Sequence, residues 1–335
     1  MPIDNHAALR RDLLKIVLAG AAASALPSLA LATEATRSTR SASAADRELA
    51  ALMADFADQM LRLLPSTATS LGVDTGARSS LKAKLEEYSH ADEKEWAALV
   101  RAMTGRLDGI DRKALGQQGQ IRYDTLRYAA GNGIEGLAFS FGGAASGLQG
   151  GTAPFPVTQQ DGAITRVPEF LDSQHQIANT ADAEAYVARV SALARLLDQE
   201  TVRIEEQAAQ GIMPPDFIMR TALGQLRDYR KTPAAEQKLV TSITARTRKA
   251  GIAGDWDART VKLVESAVYP ALDRQIAAYA KAAEKATGVA GVHRLPDGEA
   301  YYRWALKLGT STATSPEEVH RIGREQNREL EARMD

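Results

Sequence analysis

A chain of 335 residues with Lys+Arg 41, Asp+Glu 42 and a net charge of -1 lacks the basic excess that neutralises a phosphate backbone, so no nucleic-acid partner is expected. An apolar share of 44% with 25% charged residues is that of a globular chain and excludes wholesale disorder. Cysteine is absent and only 5 histidines are present, His6, His90, His175, His293 and His320, which removes disulfides and thiolate chemistry and bounds every metal or acid–base reading.

In chain order, Arg10-Arg11 precedes an apolar run from Ile16 to Leu31, and Ala30-Leu31-Ala32 supplies the small–x–small pattern of signal peptidase. Residues 1–32 therefore read as a twin-arginine export signal, with the protein expected in the periplasm or secreted. The alternative, a membrane anchor, is disfavoured by the run's shortness, its alanines and Pro27. No stable span is expected after cleavage.

Residues 33–45, rich in Ser, Thr, Ala and Arg, read as a linker, and 46–335 as a helical domain. Leu49, Leu52, Met53, Phe56, Met60, Leu63 and Leu64 fall on one helical face, and Pro65 ends it. Ser89 with Asp92 forms a cap for a helix through Trp96, Leu99, Val100 and Met103. Residues 121–128 are a further helical stretch.

From Gly131 to Gly162 the chain is crowded with glycine and proline. Leu137–Phe141 and Phe155–Thr158 are candidate strands of one short β-hairpin around this loop. The glycines at 142–151 lack the spacing of a phosphate loop. They serve either close backbone approach of a substrate or plain connection, and the residues leave both open.

Helical periodicity then dominates. Tyr186, Val190, Leu193, Leu197 and Ile204 line one face of a long helix, with Arg189, Arg195, Asp198 and Glu205 on the other. Gly211 and Pro214-Pro215 close it. Thr232-Pro233 opens another helix, and residues 261–285 form a third that Pro270 should kink. Ser315-Pro316-Glu317-Glu318 is a capping box. The helix behind it carries opposite charges four apart at Glu317/Arg321, Arg321/Glu325 and Glu329/Arg333, and a thin apolar stripe of Val319, Ile322, Leu330 and Met334. With no stop signal before Asp335, it reads either as a frayed last helix or as a helix interrupted within a larger fold. In the second case that stripe, followed by Leu263, Val264, Ala267 and Ile276, is the face left in water. The fold class is mainly α.

Chemistry is sparse. No two histidines stand four apart as a zinc-peptidase helix needs. Glu317 and His320 share a helical face, but in a first turn capping and a surface ion pair are the favoured reading over metal ligation. His175 lies beside Asp172 and Ser173, yet a triad is defined by geometry, and a hydrogen-bonded structural histidine is preferred. Glu299, Tyr301 and Tyr302 could meet a substrate amine or carbonyl, against a competing role in dipole compensation and packing.

Seven segments resemble the bacterial domain-of-unknown-function family 885 in its exported branch, by their order and spacing. They are Pro65-Ser66-Thr67-Ala68-Thr69-Ser70-Leu71-Gly72, Phe155 to Gly162 continuing to Pro168-Glu169-Phe170-Leu171-Asp172, Asp182 to Tyr186, Leu197 to Thr201, Pro214-Pro215-Asp216-Phe217, Leu295 to Tyr302, and Ser315 to His320. The resemblance implies a mostly helical protein similar to zinc metallopeptidases, whose metal helix carries His-Glu followed by Pro-Gly-His-His. That segment is not in this sequence, so no metal ligand carries over, and zinc is expected only where a C-terminal half is present. The chain is accordingly expected to be the N-terminal half of such a protein, building one wall of a peptide cleft. Gly323-Arg324 departs from the Gly-Leu that members often carry there. The candidate substrate contacts are Gln160, His175, Glu299, Tyr301 and Tyr302, the signal residues Arg10, Arg11, Ala30 and Ala32, and the expected partner a peptide. A non-catalytic exported helical binding domain is the main alternative, and a hydrolase acting through carboxylates alone is a third.

Overall fold

A computed structural model describes residues 43–142 and 152–334. The export-signal residues 1–32, most of the linker and Gly143–Gly151 lie outside the described residues. The described chain is helical throughout, with no strand.

Helix α1 (Ala44–Leu63) starts inside the stretch read as linker. Ser43 accepts from the Asp46 N–H at 3.0 Å and the Asp46 carboxylate accepts from the Ser43 N–H at 3.2 Å, the reciprocal cap that fixes a helix start. The predicted face of Leu49, Leu52, Met53, Phe56 and Met60 is buried against Trp96, Leu99, Val100 and Met103 of α3 (His90–Asp108) and Leu126 of α4 (Gln117–Gly136). Pro65 both stops α1 and opens the short α2 (Pro65–Ser70) at its first position, where its missing N–H costs nothing. The predicted Ser89–Asp92 cap is present, with the Asp92 N–H donating to Ser89 Oγ.

The larger core is built around α6 (Thr180–Ala209), 30 residues and so about 45 Å long. Tyr186, Val190, Leu193, Leu197 and Ile204 are buried as their spacing demands, packed by α5 (Ala163–Ser173), α7 (Asp216–Lys231), α8 (Lys238–Ala250), α9 (Trp256–Leu263) and α10 (Tyr269–Ala283). Between α9 and α10, Val264–Val268 forms a π-turn. Pro270 cannot donate an N–H and its ring crowds the carbonyl four residues back, at Ser266; the wider π spacing relieves this. Val264 and Val268 stay fully buried, so Val264 belongs to the core and not to a face left in water, while Leu263 and Ile276 are partly buried against it.

The hairpin expected around the Gly/Pro-rich loop does not form among the described residues. Phe139 and Phe141 join Tyr301 and Trp304 of α11 (Gly298–Thr310) in a small aromatic core instead, and Thr158 and Asp161 close a turn on themselves by mutual backbone bonds of 3.0 and 3.4 Å. Aromatic burial has overridden local strand preference. In α12 (Pro316–Met334) no residue is buried. Ile322, Leu330 and Met334 are 36%, 54% and 87% exposed. Arg321 there pairs with Glu318 and Glu325, not with Glu317.

Candidate functional site

Two polar assemblies sit on α6. The first surrounds Arg189, which the sequence pattern places on the outer face and the structure buries completely. Its guanidinium donates to the Lys84 carbonyl at 2.8 Å, to Thr69 Oγ1 at 2.7 Å, to the Leu81 carbonyl at 3.2 Å and to His175 Nδ1 at 2.8 Å, and it lies over the Phe170 ring. His175, also fully buried, donates from Nε2 to the Asp182 carbonyl at 2.9 Å. That pairing leaves Nδ1 as the acceptor and the ring neutral. Burial lowers its pKa to about 4, with the nearby Arg189 charge acting in the same direction. The family segments at 65–72, 168–172 and 182–186 thus meet at one buried cation. Both ring nitrogens of His175 are thus occupied inside the core.

A buried carboxylate lies further along. Glu200 accepts from the Ala163 N–H at 2.7 Å and from Gln275 Nε2 at 3.0 Å, with Arg166 at 3.7 Å. Burial raises its pKa to about 7. Gln160 is exposed, in the Thr158–Asp161 turn nearby, its N–H on Thr158 Oγ1.

The second assembly is open. A cleft of about 560 Å³ lies between α3 and the end of α6, closed by residues 137–140. Gly211, at φ +77°, ends α6 there, and the Ile212 N–H returns to the Gln207 carbonyl at 2.8 Å. On one side Arg203 donates to Glu93 at 2.5 Å, and His90 bridges Glu93 at 3.0 Å and Glu206 at 2.9 Å. Bonds to Glu206 and Glu93 raise the His90 pKa. Lys94, Ala97 and Arg101, one stripe of α3, face Leu137, Phe139, Gln207 and Gln210 across the cleft. Gln207 is 7% exposed and its Oε1 accepts no hydrogen bond among the described residues.

The remaining sequence candidates lie elsewhere. Tyr301 is buried, stacked on Phe141 at 4.7 Å and donating to the Thr152 carbonyl at 3.2 Å. It reaches the cleft only by supporting Phe139, with ring centroids 5.1 Å apart. Gly142, at φ +67°, has room for no Cβ, since one would lie 2.7 Å from Tyr301 Oη. Glu299 is exposed and paired with Arg303 at 2.6 Å, and Tyr302 is half exposed. Gly298, before them, is required because a Cβ would fall 1.8 Å from the Val292 carbonyl oxygen. Sequence reading missed the cleft itself, whose residues form no motif. The clue was the pair of unmatched cations four and eleven residues after His90 on one face of α3.

Zinc needs three or four converging His, Cys or carboxylate donors. No such group of three occurs among the described residues. His90 engages both ring nitrogens with carboxylates, leaving no lone pair for a metal, and Glu317 and His320 stand exposed on α12. The residues present do not fit zinc.

The fold and cleft define a mainly helical protein with a mixed polar and apolar groove. The model of the family described as "Bacterial protein of unknown function (DUF885)" matches residues 65–335, and the chain belongs to that family. It is similar in fold to the crystal structure titled "putative lipoprotein" from Colwellia psychrerythraea, at TM-score 0.72 and 21% identity over 84% of this chain, and spans 49% of that chain's length. No curated protein matches it. Among the described residues, no helix is long and apolar enough to cross a membrane.

Proposed function

We propose that this chain is the peptide-holding part of an exported, zinc-metallopeptidase-like protein, with the peptide lying in the α3–α6 cleft. The class is suggested by the resemblance of the chain's segments to proteins similar to zinc metallopeptidases. The observation that carries the reading is the cleft itself, which combines an apolar wall, a buried carboxamide without a donor and charged groups at its mouth, the composition of a small-ligand site. Hydrolysis belongs to the whole protein, and this chain's part is to hold and orient the substrate.

Titration calorimetry of the purified chain with a tetrapeptide of three alanines and a terminal phenylalanine tests the reading. Saturable binding weakened by Phe139→Ala is expected, and no heat of binding at millimolar peptide would sink it. A non-catalytic exported binding domain gives the same result. The genomic sequence beyond codon 335 separates the two, since a continuation with His-Glu and His-His supports hydrolysis. Export by the twin-arginine route predicts that Arg10→Lys with Arg11→Lys retains precursor in the cytoplasm.

A further inference from the structure

We infer that the cleft takes the free carboxylate end of a peptide, a refinement that rests on the peptide-binding reading above. The first observation is its charge. His90, Glu93, Arg203 and Glu206 are joined by ion pairs, and with His90 protonated their charges cancel. Lys94 and Arg101 line the same cleft and have no ion-pair partner among the described residues. They stand two turns apart with Ala97 between them, and their stems are long enough to meet over it. The cleft therefore presents two uncommitted positive charges and selects an anion.

The second observation is Gln207. Its buried Oε1 lacks a donor, which a peptide N–H supplies and an inorganic anion does not. Leu137, Phe139 and Ala97 offer an apolar surface beside these groups, suited to an aromatic or aliphatic last residue.

The test compares the same tetrapeptide as free acid and as C-terminal amide, by calorimetry on the full chain at low salt. The free acid should bind at least tenfold tighter. Lys94→Ala with Arg101→Ala should abolish that difference, and because both side chains are exposed the circular dichroism spectrum should not change. Gln207→Leu should weaken acid and amide alike. Equal affinity of acid and amide overturns the carboxylate inference and leaves peptide binding standing. Binding of neither sinks both. Displacement of the acid by inorganic phosphate at equal concentration shows a general anion site and also overturns the inference.

Discussion

Arginine and histidine meet twice along α6, and the two meetings behave oppositely. Around Arg189 and His175 each guanidinium nitrogen has a carbonyl, hydroxyl or ring-nitrogen partner and both side chains are fully buried, so the imidazole is neutral. Around Arg203 and His90 the partners are mainly carboxylates beside an open cleft, with the Tyr88 carbonyl also accepting from Arg203 at 2.6 Å, so the imidazole's charged form is favoured. About 14 residues, or roughly 21 Å of helix, separate the two arginines. The same side chains thus act as a folding clamp in one place and as the rim of a groove in the other, and environment alone makes the difference.

The largest expected effect comes from breaking the clamp. Arg189→Met should cost about 3–5 kcal/mol in urea unfolding, because it strips donors from buried acceptors on three segments. Arg203→Ala should cost less, about 1–2 kcal/mol, since its side chain is partly buried and the Tyr88 carbonyl and Glu93 it leaves can still reach water through the cleft. Comparable losses at both sites would dissolve the distinction.

Next in size is the pH response. His175 is protonated near pH 6.5 when unfolded but only near pH 4 when folded, so its contribution is present above about pH 6.5 and lost on acidification, up to about 3 kcal/mol. Glu200 has the opposite sign. Its folded pKa of about 7 exceeds the usual value, so its contribution is present in acid and lost as pH rises through 7. Wild type should show a flat stability profile between pH 4.5 and 6.5, where the two slopes oppose. His175→Gln should leave stability falling with pH there, and Glu200→Gln should leave it rising and be more stable than wild type at pH 8 by about 1–3 kcal/mol. Unchanged slopes in both variants would show that neither group governs the profile.

The smallest effect is expected on α12. Ile322→Glu with Leu330→Glu should change the melting midpoint by no more than a degree or two, since both side chains already meet water, while lowering the binding of a hydrophobic dye. A clear loss of stability would show that this face packs on something in solution.

What the sequence disclosed follows the range of the interactions. The Ser89 cap, the α6 stripe, the Gly211 stop and the entry to α12 are set by residues within four positions of one another, so local pattern suffices. Arg189 was misread because a charge on a helix suggests an outer face, whereas its acceptors lie 105 to 120 residues away at Lys84 and Thr69. The hairpin failed for the same reason, since Phe139 answers to Tyr301. None of the candidate contacts Gln160, His175, Glu299, Tyr301 or Tyr302 lines the cleft. Its walls are drawn from α3, residues 137–140 and α6, and only folding brings them together.

The π-turn at Val264–Val268 carries a consequence for insertions and deletions. A π-turn accommodates one residue more than a regular helix would over the same rise. Removing a single residue there would leave an unbroken α-helical ladder with everything beyond it still on its present face. The same deletion in the regular helix that follows, at Ala271, would rotate everything beyond it by about 100° about the helix axis. Leu272, Gln275 and Tyr279 would then swing together off the α6 contact, and charged Asp273 and Arg274 would turn toward it. The π-turn thus absorbs a change of one codon that the neighbouring turns of α10 would not, a difference that no single substitution along the helix would reveal.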